Sequence, residues 1–159
     1  YTPPLNYDRV YELEKSHPDL TIILNGGIDT LSEAKAHLHH VDGVMLGRAA
    51  YKTPYILADV DRLIFNDDTP APCRESVVEA LIPYAEKLVA DGVPLHALTR
   101  HLMGLFQSQP GGRLWRRYLS ENAPKNEADA SVLSAALQYM RQAVQRTYDV
   151  DQDINQAVD

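Results

Sequence analysis

The sequence predicts an α/β segment followed by an all-α domain, and three observations carry that prediction. Residues 21–25 and 43–46 are apolar runs too short for helices, each stops at glycine, and a helical pattern lies between them. A polar stretch containing Pro70 and Pro72 then interrupts the chain. From residue 75 onward apolar residues recur only at helical spacing, so the second half offers no strands.

Pro3 and Pro4 give an extended entry, and residues 7–16 set Val10 and Leu13 at the spacing of an outer helix. His17-Pro18-Asp19 is a turn. The run at 21–25 then reads as a strand buried on both faces, as in parallel sheets. Thr30 and Glu33 have capping-box spacing, which starts a helix running to about His39. With the second run this makes a βαβ unit. Its right-handed crossover puts the turns Asn25-Gly26-Gly27 and Gly47-Arg48 at the same end of the sheet. Pro54 precedes a helix expected over 55–64, closing an α/β segment of residues 1–65, and 66–74 serves as a linker.

The second domain, 75–146, reads as a bundle of four helices: 75–90, 95–106, 113–122 and 130–145. Pro83 interrupts the first stripe and should kink that helix or delay its start. Residues 147–159 are acidic without a sustained apolar period, the pattern of a disordered tail.

Asn-Gly-Gly and Gly-Arg taken singly are ordinary turns. Paired across one βαβ unit they make an anion site: glycines let backbone N–H groups approach closely, and Arg48 can grip an oxyanion with its fork. In (β/α)8 barrels the last two strand-to-helix loops often build such a phosphate site. Asn25, Gly26, Gly27, Gly47 and Arg48 are therefore the candidate anion-binding residues.

A second site is expected on residues 113–122. Arg113, Arg116 and Arg117 share one helical face, opposite Leu114, Trp115, Tyr118 and Leu119, and Glu121 is the one acid on that helix. Arg100 and Lys125 extend the patch. The chain carries a net charge of −7, yet residues 93–128 hold five basic and two acidic side chains. A local basic face matters more for phosphate contact than the chain total. A solvated charged face is the plainer reading of the same pattern.

No apolar run is long enough to span a bilayer, and no signal-peptide pattern stands at the N-terminus. The single Cys73 suits a reducing compartment, so a soluble cytoplasmic protein is expected. His37, His39 and His40 lack companion ligands and read as a solvated helix end, so no metal is expected.

These motifs carry a resemblance. Asn25-Gly26-Gly27-Ile28, then Asp42-Gly43-Val44-Met45-Leu46-Gly47-Arg48 with Tyr51 and Pro54, are joined later by His101-Leu102-Met103-Gly104-Leu105-Phe106-Gln107. Gly111-Gly112-Arg113-Leu114-Trp115-Arg116-Arg117-Tyr118-Leu119-Ser120-Glu121-Asn122 completes the set. From residue 1 to about Val144 the chain resembles the tRNA-dihydrouridine synthases, A-type branch, with Gly112 at a turn position that tolerates small residues.

The resemblance implies the last two βα units of an FMN-binding (β/α)8 TIM barrel followed by a helical tRNA-binding domain, with most of the barrel missing. It implies reduction of the C5=C6 bond of a tRNA uridine by FMN, with NADPH as reductant. The FMN phosphate would lie on Asn25, Gly26, Gly27, Gly47 and Arg48, and tRNA chiefly on Arg113 and Arg116. The family's catalytic cysteine belongs to the earlier barrel segment, so no catalytic residue is expected here, and the fragment alone should be inactive and prone to self-association. Two alternatives stand beside this: another FMN or phosphate-binding barrel oxidoreductase, and a non-catalytic RNA-binding helical module.

Overall fold

A computed structural model describes residues 4–156, with side chains described through Asp149. The expected entry at Pro3 and the last tail residues, 157–159, lie outside the described residues. The chain divides into two compact units, Tyr1–Ala71 and Pro72–Asp159.

In the first unit α1 (Tyr7–Ser16) precedes β1 (Ile23–Asn25), α2 (Leu31–His37) and β2 (Gly43–Met45). The strands pair in parallel, with Ile23 opposite Gly43, Leu24 opposite Val44 and Asn25 opposite Met45. That register brings both glycine turns level with each other. Leu24, Ile28, Ala34 and Val41 form the core, packed by Tyr7, Val10, Tyr11, Ile22, Val44 and Leu46.

The strands are not buried on both faces as expected. Leu24 points into the core, whereas Ile23 is 62% exposed and Met45 47% exposed on the opposite face, because the core residues and helices of this unit lie on the Leu24 side. The α2 capping box is present: Thr30 Oγ1 accepts from the Glu33 N–H at 3.1 Å, and the Glu33 carboxylate accepts from the N–H groups of Asp29 and Thr30 at 2.9 and 3.0 Å.

His37 and His40 are not simply solvated. His37 is half-buried, with Nδ1 2.6 Å from the Tyr11 hydroxyl, and His40 stacks on Tyr11 at 4.3 Å. After β2, α3 (Arg48–Lys52) is followed by a 3-10 helix (Pro54–Asp59) and α4 (Val60–Ile64), in place of one helix over 55–64.

The second unit holds α5 (Arg74–Ala90), α6 (His96–Thr99), α7 (Gly112–Asn122) and α8 (Ser131–Gln156). Both α5 and α7 pack on α8. Trp115, Leu119, Leu133 and Val78 are fully buried among them, each such side chain contributing roughly 1.5–3 kcal/mol of transfer free energy. Arg141 on α8 donates to Glu75 and Glu79 on α5, linking the two helices at the surface. The α5 helix runs through Pro83, which is exposed. Cys73, exposed, caps that helix by accepting from the Ser76 N–H.

Two expectations fail in this unit. The helix expected over 95–106 ends at Thr99, and the chain continues through successive i→i+3 turns such as Leu105 N–H to Leu102 C=O and Gln109 N–H to Phe106 C=O. Other elements compete for its carbonyls: Trp115 Nε1 donates to Leu102 C=O at 3.0 Å, and Arg74 Nε to Leu105 C=O at 2.9 Å. The tail expected to be disordered from residue 147 is helical to Gln156. Helical neighbours extend α8 locally, with Thr147 Oγ1 donating to Ala143 C=O and Gln145 Nε2 to Asp149.

Among the described residues no helix is long and apolar enough to cross a membrane. Nor does any group of three His, Cys, Asp or Glu side chains gather in metal-binding geometry among them.

Candidate functional site

Asn25, Gly26, Gly27, Gly47 and Arg48 come together around one pocket of about 170 Å³, completed by Ile28, Asp29 and Met45. It sits at the carboxyl ends of the two parallel strands, where open α/β sheets bind ligands. Gly26 and Gly27 have φ of +124° and +66°, conformations that side chains other than glycine adopt at a cost. Gly47 differs, because its φ is −97° and an added Cβ would make ordinary contact with Met45 Sδ at 3.6 Å and Cε at 4.0 Å.

The donors available to a ligand follow from what is already engaged. The N–H groups of Asp29 and Thr30 are turned to the Glu33 carboxylate, and these bonds hold that carboxyl below its usual range, the Asp29 N–H first. The start of α2 therefore already carries an anion of its own. The N–H groups of Gly27, Gly47 and Arg48 have no backbone partner among the described residues. The exposed Arg48 guanidinium supplies positive charge at the rim, opposed by the Asp29 carboxylate.

Tyr7 was not legible as a member of this site. Its hydroxyl donates to the Gly26 carbonyl at 2.9 Å from nineteen residues away, and no local spacing signals such a contact.

The arginine face of α7 is borne by a tightly seated helix. Trp115 is fully buried, its ring 4.9 Å from that of Phe106, and Leu119 is buried beside it. Gly111 (φ +76°) and Gly112 lead into the helix, and a Cβ on Gly112 would lie 2.1 Å from the Phe106 carbonyl oxygen. Gly112 is thus not at a position that tolerates small residues.

Arg113, Arg116 and Arg117 project from the other side but are not equivalent. Arg117 pairs with Glu121 at 2.8 Å, and that bond raises the guanidinium pKa further. Arg116 donates to the neutral Gln107 amide at 3.0 Å, and among the described residues neither it nor Arg113 has a carboxylate partner. Of the three arginines, two thus lack a carboxylate partner among the described residues. Arg100 Nε donates to His101 Nε2 at 3.0 Å, and Lys125 Nζ to Asn122 Oδ1 at 2.8 Å. Gln107 is the member this face gains, since it presents Arg116 without cancelling its charge.

A βαβ unit whose glycine turns meet one arginine in a pocket at the strand ends is an α/β arrangement competent to bind an anion. The sequence model of the dihydrouridine synthase family matches residues 1–145, and the chain belongs to that family. It is similar to the tRNA-dihydrouridine(20/20a) synthase of Salmonella typhi, 56% identical over 135 residues, covering 85% of this chain and 41% of that protein. The Shewanella oneidensis protein of the same name is 52% identical over 136 residues, covering 86% and 41%. That of Escherichia coli K12 is 55% identical over 135 residues, covering 85% and 39%. The chain therefore spans about two fifths of the length of these relatives. The resemblance read from the sequence is borne out, and enzymes of this family are flavin-dependent oxidoreductases.

Proposed function

We propose that this chain is the C-terminal part of an FMN-dependent tRNA-dihydrouridine synthase: the end of its (β/α)8 barrel and its helical tRNA-binding domain. The observation that carries the reading is the convergence of Asn25, Gly26, Gly27, Gly47 and Arg48 on one pocket, in a chain of this family. The donor set fits a phosphate monoester, with one guanidinium and backbone N–H groups at Gly27, Gly47 and Arg48 that have no backbone partner among the described residues. The open face carrying Ile23 and Met45 is then where the remaining barrel strands pack.

FMN held by this chain in the intact enzyme would supply the hydride for one carbon of the C5=C6 bond of a tRNA uridine, a proton adding to the other, and NADPH would restore the flavin. This chain's residues bind and orient. The glycine turns and Arg48 hold the flavin's phosphate, and Arg113 and Arg116 offer unpaired charge to tRNA phosphates. Cys73 caps α5 at the surface, and the family resemblance implies that the proton for the uracil comes from a cysteine of the earlier barrel segment. A uridine in folded tRNA must leave its stack to reach a flavin, so shape recognition by a separate unit with an arginine-bearing face suits the reaction. The relatives' names specify uridines 20 and 20a, and the same positions are proposed here.

The test is Arg48→Ala in the intact enzyme, titrated with FMN and with riboflavin, which lacks the phosphate. FMN affinity should fall by at least about tenfold while riboflavin affinity holds, since a charged hydrogen bond is worth roughly 1.5–3 kcal/mol. Dihydrouridine formation in tRNA should fall at limiting FMN. Unchanged FMN affinity would remove the phosphate from this pocket.

A further inference from the structure

The pocket depends on a residue outside both glycine turns. Tyr7, in the first turn of α1, donates its hydroxyl to the Gly26 carbonyl at 2.9 Å. Its ring is held from another side by the His37 imidazole of α2, with centroids 4.5 Å apart, and His37 is itself fixed by the Tyr11 hydroxyl at 2.6 Å. The hydroxyl is therefore an anchored donor rather than a mobile one.

What it anchors is the least constrained peptide of the site. Neither Gly26 nor Gly27 has a Cβ, so the peptide between them can rotate as a plate at little steric cost. It is trans, as are all the described peptide bonds, and in a trans peptide the C=O and the following N–H point in opposite directions. Fixing the Gly26 carbonyl on Tyr7 therefore directs the Gly27 N–H away from Tyr7. That N–H has no backbone partner among the described residues, and Gly27 lines the pocket with Arg48. The fit is close, since a Cβ on Gly27 would lie 2.7 Å from the Tyr7 hydroxyl oxygen and 2.7 Å from Leu5 Cδ1.

We infer that Tyr7 is a positioning residue of the pocket: its hydroxyl locks the Gly26–Gly27 peptide in the orientation that presents the Gly27 N–H to a bound phosphate. This rests on the flavin-phosphate reading above. It assigns a role to the helix before the first strand, whose sequence shows only an outer packing surface.

Tyr7→Phe tests it in the intact enzyme, because the change keeps the ring on His37 and removes only the hydroxyl. Flavin-fluorescence titrations of the apoprotein compare FMN with riboflavin, for the wild type, Tyr7→Phe and Arg48→Ala. FMN affinity of Tyr7→Phe should fall on the order of tenfold, with riboflavin affinity unchanged. A merely structural tyrosine would weaken both flavins in proportion, and that result overturns the inference. So does wild-type FMN affinity in Tyr7→Phe when Arg48→Ala has lost its preference for FMN over riboflavin. If Arg48→Ala keeps that preference, the phosphate reading itself fails, and the inference with it.

Discussion

Replacing Arg113 and Arg116 together by alanine separates tRNA recognition from a merely charged surface, and the structure sets the size of the effect. Neither guanidinium has a carboxylate partner among the described residues, so each carries its full charge to a ligand. A lost charged contact to nucleic acid costs roughly 1–3 kcal/mol. At the low end the pair gives about 2 kcal/mol, a loss of roughly thirtyfold in tRNA affinity. The slope of log affinity against log salt should fall by about 1.5, near 0.7–0.9 per phosphate contact. The fold should hold, because Trp115 and Leu119 on the buried side are untouched and alanine favours helix.

Arg117 supplies an internal control. Glu121 neutralises it at 2.8 Å, so Glu121→Gln should strengthen tRNA binding by releasing that charge and removing a repelling carboxylate. Filter binding or anisotropy with unmodified tRNA across a salt series reads all of these. An unchanged affinity and salt slope in the double variant would refute the reasoning and leave the stripe as solvent-facing charge.

Two further outcomes follow from local geometry. Gly112→Ala should destabilise the helical unit by about 2 kcal/mol or more, because the new methyl meets a backbone carbonyl that cannot rotate aside, at 2.1 Å; a denaturant midpoint within error of wild type would contradict it. Glu33 titrates below its ordinary value of 4.5 because the N–H groups of Asp29 and Thr30 donate to the carboxylate. Its folded pKa is depressed, so its contribution to stability is present above that ordinary value and is lost as pH falls through the lowered one. Glu33→Gln should accordingly flatten the acid limb of the melting temperature against pH, and an acid limb as steep as wild type would count against the cap.

Features written by near neighbours were legible in the sequence. Thr30 and Glu33 lie three residues apart, and their reciprocal bonds form within one turn of chain. The opposition of Trp115 and Leu119 to the arginines follows from helical period alone. The turns at Gly26-Gly27 and Gly47 could be read as turns, and the crossover rule placed them at one end of the sheet.

Tertiary structure decided where contacts from distant residues override local preference. The stretch after Thr99 has a helical apolar period, yet its carbonyls at Leu102 and Leu105 are taken by Trp115 and Arg74, thirteen and thirty-one residues away. Gly112 looked replaceable because nothing nearby in sequence shows that the Phe106 carbonyl closes over it. Glu121 was visible as a possible partner, but which arginine it would neutralise depended on the packed helix leaving Arg117 facing it and Arg116 facing Gln107. Tyr7 reaches Gly26 only because α1 packs against the turn, and a hydroxyl brought to a carbonyl by packing leaves no periodic trace in the chain.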